Sequence, residues 1–221
     1  MAETDGELAR RLATETGRLL VSVRPGNGDR AAQNFLAAQL EEHRPDDAVL
    51  SEEAPDDPRR LTADRVWIID PLDGSREFAE PGRTDWAVHV ALWQRGELVA
   101  GAVALPAFQP ISRVPHRRPR IVVSRTRPPE CAERVAAAID AELVPMGSAG
   151  AKTMAVVRGE ADAYLHAGGM YEWDSAAPVY VARAAGLHAS RADGRPLVYN
   201  QPDPWLPDLL ICRQELAGVL T

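Results

Sequence analysis

The sequence feature that most restricts the possible folds and functions of this chain is a short acidic segment directly after an apolar run. Residues 66–69 read Val-Trp-Ile-Ile and residues 70–75 read Asp-Pro-Leu-Asp-Gly-Ser. The apolar run predicts a buried strand, so that Asp70 and Asp73 stand at its end. Carboxylates are the ligands that hard divalent cations prefer. The segment therefore predicts a Mg²⁺ site, although Asp-Pro and Asp-Gly also occur in ordinary polar turns.

The other residues of this segment suit a phosphate group beside the cation. The ring of Pro71 fixes one backbone dihedral between the two acids, and the carbonyl of Leu72 is a further oxygen ligand. Gly74 has no side chain to hold an anion away from the backbone. If a helix begins at Ser75, its free N–H groups point at that anion.

Length, composition and charge restrict the class of protein. The 221 residues are 45% hydrophobic and 26% charged, which is ordinary for a soluble globular chain. With 25 basic and 32 acidic residues the net charge is −7, which argues against a general nucleic-acid binder. The acidic N-terminus does not resemble a secretory signal, no apolar stretch is long enough to span a membrane, and the two cysteines form no disulfide framework. We therefore expect a cytoplasmic protein with no membrane partner.

Alternating helical and strand patterns predict the fold class. Two amphipathic helices come first, near 7–23 and from Asp29, and strands are predicted at 48–50, 66–69, 86–92 and 98–105. A proline-rich connection at 106–119 is the candidate boundary between two halves of a single catalytic unit, 1–221. Further strands and helices follow it, including a helix from Asp174 to Ala185. The order predicts a layered α/β (α+β) architecture.

Three acids outside the central segment stand where metal chemistry would use them. Glu52 follows the strand at 48–50, whereas Asp29 and Asp174 each begin a predicted helix, where the helix dipole favours negative charge. Each is also a plausible surface acid or helix cap. Spacing alone does not bring these acids together in space.

Three sequence blocks, in this order, resemble the inositol monophosphatase superfamily. They are Ser-Glu-Glu at 51–53, Trp-Ile-Ile-Asp-Pro-Leu-Asp-Gly-Ser at 67–75 and Glu-Trp-Asp-Ser-Ala-Ala at 172–177. The resemblance implies a layered αβαβα sandwich and a Mg²⁺-dependent, lithium-sensitive phosphatase with two or three metal ions. It covers nearly the whole chain.

The resemblance also implies a role for individual residues. The carboxylates of Glu52, Asp70, Asp73 and Asp174 and the carbonyl of Leu72 would bind metal. The attacking water would be positioned by Asp29, Glu52 and Ser75. The main-chain N–H groups of Gly74 and Ser75 would hold the phosphate.

Subfamily features point to a CysQ-type 3′(2′),5′-bisphosphate nucleotidase. Arg-Glu-Phe at 76–78 resembles the Lys-Glu-Phe of that subfamily. The loop 147–152 is similar to the one that contacts the second phosphate of the substrate, which makes Ser148 and Lys152 candidate substrate contacts. His166 is a further candidate phosphate contact. Tyr171 and Trp173 are candidates to flank an adenine ring, although aromatic residues at such positions also serve the core.

The expected reaction is removal of the 3′-phosphate from 3′-phosphoadenosine 5′-phosphate, with the sulfated analogue as a further candidate substrate. Alternatives are an inositol-1-phosphate or fructose-1,6-bisphosphate phosphatase on the same scaffold, or a catalytically idle nucleotide-binding protein. Three departures from the family pattern bear on catalytic efficiency and on the number of metal ions. Ser75 replaces the usual threonine, the connection between Val23 and Asp29 is short, and the stretch after Leu105 is abbreviated. The short Val23–Asp29 connection is the feature that favours an idle protein. We expect a monomer or a homodimer.

Overall fold

Two β-sheets, each flanked by helices, are the framework of the protein. The structure is a computed structural model that describes residues 3–24, 26–108 and 118–221. Within those residues, none of the helices combines the length and apolar character that crossing a bilayer requires.

The first sheet has four strands in the order β1-β2-β3-β4. β1 and β2 are parallel, whereas β2, β3 and β4 run antiparallel to their neighbours. Two helices precede this sheet, and the first begins with Thr4 and Glu7 in a capping box. The bounds are α1 Asp5–Val23, α2 Gly28–His43, β1 Ala48–Ser51, β2 Arg65–Asp73, β3 Ala87–Gln94 and β4 Glu97–Ala104. A short 3₁₀ helix, Pro58–Thr62, connects β1 to β2, and α3, Ser75–Ala79, follows β2.

The second sheet has five strands in the order β6-β5-β7-β9-β8. β5 is parallel to β6 and β7, and β9 is antiparallel to β7 and β8. Its strands are β5 Arg120–Ser124, β6 Glu142–Met146, β7 Ala163–Tyr171, β8 His188–Ser190 and β9 Trp205–Cys212. The helices of this half are α4 Ala132–Ala138, α5 Ala149–Val157, α6 Glu172–Ala184 and α7 Gln214–Leu220.

Three apolar cores place these elements in five layers, as predicted for an αβαβα sandwich. α1 and α2 cover one face of the first sheet. α5 and α6 fill the space between the two sheets and form the central core with both. α4 and α7 cover the outer face of the second sheet. Because the central core joins both sheets, the elements that meet at its edge come from both halves of the chain.

β2 is longer than the 66–69 prediction, and the difference matters for the site. β2 pairs with β3 as far as Asp73, with one extra residue on β2 between Asp70 and Asp73. Pro71 lies in this irregularity, where its missing N–H costs no ladder hydrogen bond. The two acids therefore lie on a bulged strand, not on a turn beyond it. A bulge re-aims side chains and fixes them more firmly than a free turn does.

Other boundaries also differ from the predictions. α6 begins at Glu172, so Asp174 lies in its first turn and is not its first residue as predicted. The pattern at 163–165 predicts a short strand, but β7 continues to Tyr171. The sequence pattern does not predict β8. The predicted boundary at 106–119 lies largely outside the described residues, since 109–117 are not described.

Candidate active site

Nearly all the predicted site residues line one cavity of about 510 Å³ at the edge of the central core. Asp29 is the predicted residue that does not line it. The predicted residues that do are Glu52, Asp70, Leu72, Asp73, Gly74, Ser75, Ser148, Lys152, His166 and Asp174. The cavity thus gathers side chains from β2, α3, α5, β7 and α6.

Three carboxylates form the centre of this cavity. Asp70 and Asp73 of β2 and Asp174 of α6 each offer an oxygen, and these oxygens lie within 4.8 Å of one another. Asp70 and Asp73 are buried. Three acids at this separation repel one another strongly unless a proton or a cation lies between them.

The surroundings of Asp70 fit a bound cation. Its Oδ1 accepts a hydrogen bond from the N–H of Leu72 (3.0 Å), but its buried Oδ2 has no hydrogen-bond partner. Burial, followed by the charges of Asp73 and Glu52, raises the pKa of Asp70 well above its usual value. A buried carboxylate oxygen without a donor is costly. The oxygen donor set around it is the kind that Mg²⁺ binds.

The carboxyl groups of Asp174 and Glu52 also have raised pKa values. Burial raises the pKa of Asp174 to about 6, and Asp73 adds to the shift. Glu52 is exposed as a whole residue, yet enclosure of its carboxyl group raises its pKa to about 7, with Asp174 as the next cause. Both shifts indicate that this side of the cavity lacks positive charge.

Asp73 has the opposite environment. Its Oδ2 accepts hydrogen bonds from the Ser148 hydroxyl (2.5 Å) and the Gly150 N–H (2.7 Å), and His89 Nε2 lies 3.1 Å away. Burial alone would raise the pKa of Asp73, but His89, Lys152 and Ser148 hold it below its usual value. With Oδ2 occupied in this way, Oδ1 is the oxygen that Asp73 offers to the cavity.

His89 is a site residue that the sequence analysis missed. The β2–β3 register pairs it with Asp70, and its ring is fully buried. Its Nδ1 lies 3.1 Å from the carbonyl of Trp173, so the ring bridges β3 to the start of α6. Burial opposes protonation of His89, but Asp73 raises its pKa above the usual value. An added Cβ at Gly150 would lie 2.3 Å from His89 Nε2, so the glycine is needed for this approach.

Lys152 is the buried cation next to Asp73. Its Nζ donates to the carbonyl of Ser148 (2.8 Å) and lies 5.1 Å from the centre of the Tyr164 ring. Burial lowers the pKa of Lys152 to about 8, against the raising effect of Asp73. An ammonium group has three N–H donors, so the bond to Ser148 leaves others for a ligand.

Ser75 and Asp29 meet at the start of α3. The Ser75 hydroxyl donates to Asp29 Oδ1 (2.8 Å) and also lies 3.2 Å from the carbonyl of Leu72. Gly74 precedes α3 with φ of +90°, in the left-handed region that favours glycine. Asp29 thus reaches the cavity through Ser75.

Arg24 is a second residue that the sequence analysis missed. Its guanidinium donates to the main-chain carbonyls of Glu77, Phe78, Glu80 and Arg83, at 2.7–3.1 Å. These are carbonyls of α3 and of the segment after it. The short connection after α1 therefore carries a side chain that ties the end of α3 to α1.

The wall beside Asp174 is aromatic. The rings of Tyr171 and Trp173 are stacked, with centres 4.7 Å apart and planes at 13°. Trp205 also lines the cavity. His166 lies nearby, with its Nε2 2.8 Å from the carbonyl of Gly169, and burial lowers the pKa of His166.

The sequence matches one family model over most of its length. The model describes the inositol monophosphatase family, and it matches residues 26–118 and 116–217. The chain belongs to the inositol monophosphatase family. Members of this family are metal-dependent, and the cluster of Asp70, Asp73 and Asp174 is able to bind a metal. The resemblance and the layered fold predicted from the sequence are both confirmed.

Individual relatives agree with this membership of the inositol monophosphatase family. The chain is 51% identical to a 3′-phosphoadenosine 5′-phosphate phosphatase from Mycobacterium leprae, with 98% of this chain and 92% of that protein covered. It is 30% identical to the 3′(2′),5′-bisphosphate nucleotidase CysQ of Escherichia coli, with 80% of each covered. A crystal structure of CysQ from Bacteroides thetaiotaomicron superposes with a TM-score of 0.82 at 25% identity, over 96% of this chain and 98% of that one.

Proposed function

We propose that this protein is a Mg²⁺-dependent phosphatase that removes the 3′-phosphate of 3′-phosphoadenosine 5′-phosphate, giving AMP and phosphate. The observation that carries the proposal is the cluster of three carboxylates in the cavity, with one buried oxygen of Asp70 left without a partner. The activity named for the relative at 51% identity supports the choice of substrate. The acids come from both halves of the chain, which supports a single catalytic unit over residues 1–221.

The metal ligands in this proposal are four carboxylates and one main-chain carbonyl, which we assign to two or three Mg²⁺ ions. They are Glu52, Asp70, Asp73, Asp174 and the Leu72 carbonyl. Bound Mg²⁺ would neutralise the phosphate, lower the pKa of water and stabilise the leaving oxygen. Single-atom ligation through Asp73 Oδ1 follows from the donors on its other oxygen.

Asp29, Ser75 and Glu52 are assigned to the attacking water. Because the Ser75 hydroxyl donates a hydrogen bond to Asp29, its oxygen is left to accept a hydrogen bond from water. A proton taken by Ser75 from water can then pass to the Asp29 carboxylate. Glu52 lies in the same cavity and is assigned to orient the water together with Ser75. This arrangement orients the water and gives its proton a route away from the phosphate.

The remaining residues are assigned to the substrate. The main-chain N–H groups of Gly74 and Ser75 would hold the reacting phosphate at the start of α3. Ser148, Lys152 and His166 lie on the same cavity wall and are assigned to the second phosphate. The ammonium group of Lys152 supplies positive charge there, although its hydrogen bond to Ser148 also stabilises the loop.

Side-by-side hydrolysis of three substrates tests this function. Phosphate release would be measured from 3′-phosphoadenosine 5′-phosphate, inositol 1-phosphate and fructose 1,6-bisphosphate, with Mg²⁺ or with EDTA, and with or without lithium. We expect kcat/KM for the nucleotide to exceed the other two by on the order of 100-fold, which is about 2.7 kcal/mol of discrimination. EDTA should abolish the activity.

Each other outcome is informative. Preference for inositol phosphate or the sugar phosphate would keep the mechanism and overturn the substrate. Absence of turnover on all three, with calorimetry showing that Mg²⁺ is bound, would favour a catalytically idle binding protein.

A further inference from the structure

Two exposed aromatic side chains lie at the mouth of the active-site cavity. Trp205 is 48% exposed and Tyr171 is 45% exposed, and both line the cavity. The other large apolar side chains exposed in the described residues are all aliphatic. By contrast, Trp67 and Trp86 are fully buried. Exposed aromatic surface that is confined to the rim of a cavity is typical of a ligand contact.

The two rings are held in place from behind. Tyr171 of β7 and Trp205 of β9 are register partners, so their side chains share a face of the sheet. Tyr171 stacks on Trp173. The Trp205 indole lies against Gly169, where an added Cβ would be 2.6 Å from Nε1. Gly169 has φ of +96°, and its carbonyl is held by His166.

This aromatic surface is attached directly to the carboxylate cluster. The N–H of Tyr171 donates to Asp174 Oδ2 (2.6 Å), and the carbonyl of Trp173 contacts His89. Tyr171 and Trp205 thus line the same cavity as the carboxylates, within reach of other groups of a substrate whose phosphate lies there. Most of the cavity lining is polar, and Tyr171 and Trp205 are the large apolar side chains of the described lining that are exposed.

We propose that Tyr171 and Trp205 form a stacking platform for the base of the nucleotide substrate and set the preference for nucleotides over sugar and inositol phosphates. The inference rests on the proposed function. A π face accepts any flat heteroaromatic base, and stacking carries little sequence preference. The platform therefore selects for the presence of a base and discriminates weakly between bases.

A base-free substrate isolates the contribution of the platform. KM and kcat would be measured for 3′-phosphoadenosine 5′-phosphate and for methyl ribofuranoside 3,5-bisphosphate, which keeps both phosphates but has no base. We expect Trp205→Ala to raise KM for the nucleotide about tenfold, in line with a base–aromatic stack. Its kcat, and both constants for the base-free compound, should change by less than about twofold. Trp205→Phe should retain most of the nucleotide affinity.

A matched control and a spectroscopic signal complete the test. Val198→Ala changes an apolar residue of similar exposure that does not line the cavity, and it should leave all constants unchanged. AMP, added with Mg²⁺, should quench tryptophan fluorescence in the wild type and much less in Trp205→Phe. Equal KM increases on both substrates in Trp205→Ala, or no increase on either, would overturn the platform. Failure of the wild type to hydrolyse the nucleotide would instead overturn the proposed function.

Discussion

Asp70 and Asp73 lie three residues apart on the same strand, are both buried and both lie near His89, yet their hydrogen-bond partners differ. Asp73 receives hydrogen bonds from Ser148 and Gly150 and faces His89, and its pKa is lowered. Asp70 faces other acids, has an oxygen without a partner, and its pKa is raised. Asp73 is therefore held as a fixed anion, whereas Asp70 has a buried oxygen without a partner that is able to bind a cation.

Paired substitutions should separate these two acids most clearly. Asp70→Asn and Asp73→Asn should each lower kcat by more than about a thousandfold, since each removes the charge of a proposed metal ligand. Their metal-free melting temperatures should move in opposite directions. Asp70→Asn relieves repulsion and should raise Tm by about 2–4 °C, whereas Asp73→Asn weakens charge-assisted hydrogen bonds and should lower it by a similar amount.

Differential scanning fluorimetry in EDTA, together with turnover assays, checks this contrast. Circular dichroism should show that both variants are folded. A fall in metal-free Tm for Asp70→Asn would contradict the unpaired state of that carboxylate. Near-wild-type activity of Asp73→Asn would remove Asp73 from the ligand set.

Substitution of His89 should have the next largest effect. His89→Leu removes the ring nitrogen next to Asp73 and the contact to the Trp173 carbonyl. Loss of a group that orients a metal ligand costs about 10–100-fold in metal affinity or activity. We therefore expect the Mg²⁺ concentration for half-maximal activity to rise by about that factor, and calorimetry to show weaker Mg²⁺ binding.

Two further variants sharpen the His89 result. His89→Asn retains a donor and should recover part of the Mg²⁺ affinity. His188→Ala changes a histidine on β8 and should leave that affinity unchanged. An unaltered Mg²⁺ dependence in His89→Leu would show that His89 serves packing alone.

The smallest expected effect is a change of stability with pH that Mg²⁺ reverses. A carboxyl whose pKa is raised on folding binds its proton more tightly in the folded state. Metal-free stability should therefore fall as pH rises from about 4, the usual carboxyl pKa, through the values of about 6 for Asp174 and about 7 for Glu52. The lowered pKa of Asp73 adds stability that is lost only below about pH 4.

Melting temperatures from pH 5 to pH 8, in EDTA and in Mg²⁺, measure this effect. Tm in EDTA should decrease across the range, and the increase of Tm on addition of Mg²⁺ should be larger at pH 8 than at pH 5. Glu52→Gln should flatten the upper part of the EDTA curve. A flat or rising EDTA curve in the wild type would contradict the raised pKa values.

Most residues of the site could be predicted from the sequence because they lie in short local blocks. The apolar run before Asp70 predicts a strand whatever the rest of the chain does, and all but one of the predicted site residues line the cavity. The bulge in β2 could not be predicted from the sequence, because the pairing register depends on β3 as well as on β2. The metal and substrate roles of these residues remain predictions that the variants above test.

His89 and Arg24 show what local patterns miss. His89 is one of five histidines, and nothing nearby in the sequence marks it; its role follows from the β2–β3 register. The four carbonyls that Arg24 binds lie 53 to 59 residues further along the chain. Contacts of this kind depend on tertiary packing, which spacing does not encode.

The division of the site between the two halves has a consequence for how the chain matures on the ribosome. The strand with Asp70 and Asp73 is synthesised long before α5 and α6, which carry Ser148, Gly150 and Asp174. Until those helices emerge, the first sheet has one face covered by α1 and α2 and the other bare. A contact between residues far apart in the sequence forms only after both residues have been synthesised. The complete cluster of Asp70, Asp73 and Asp174 therefore forms only after the start of α6 has been translated.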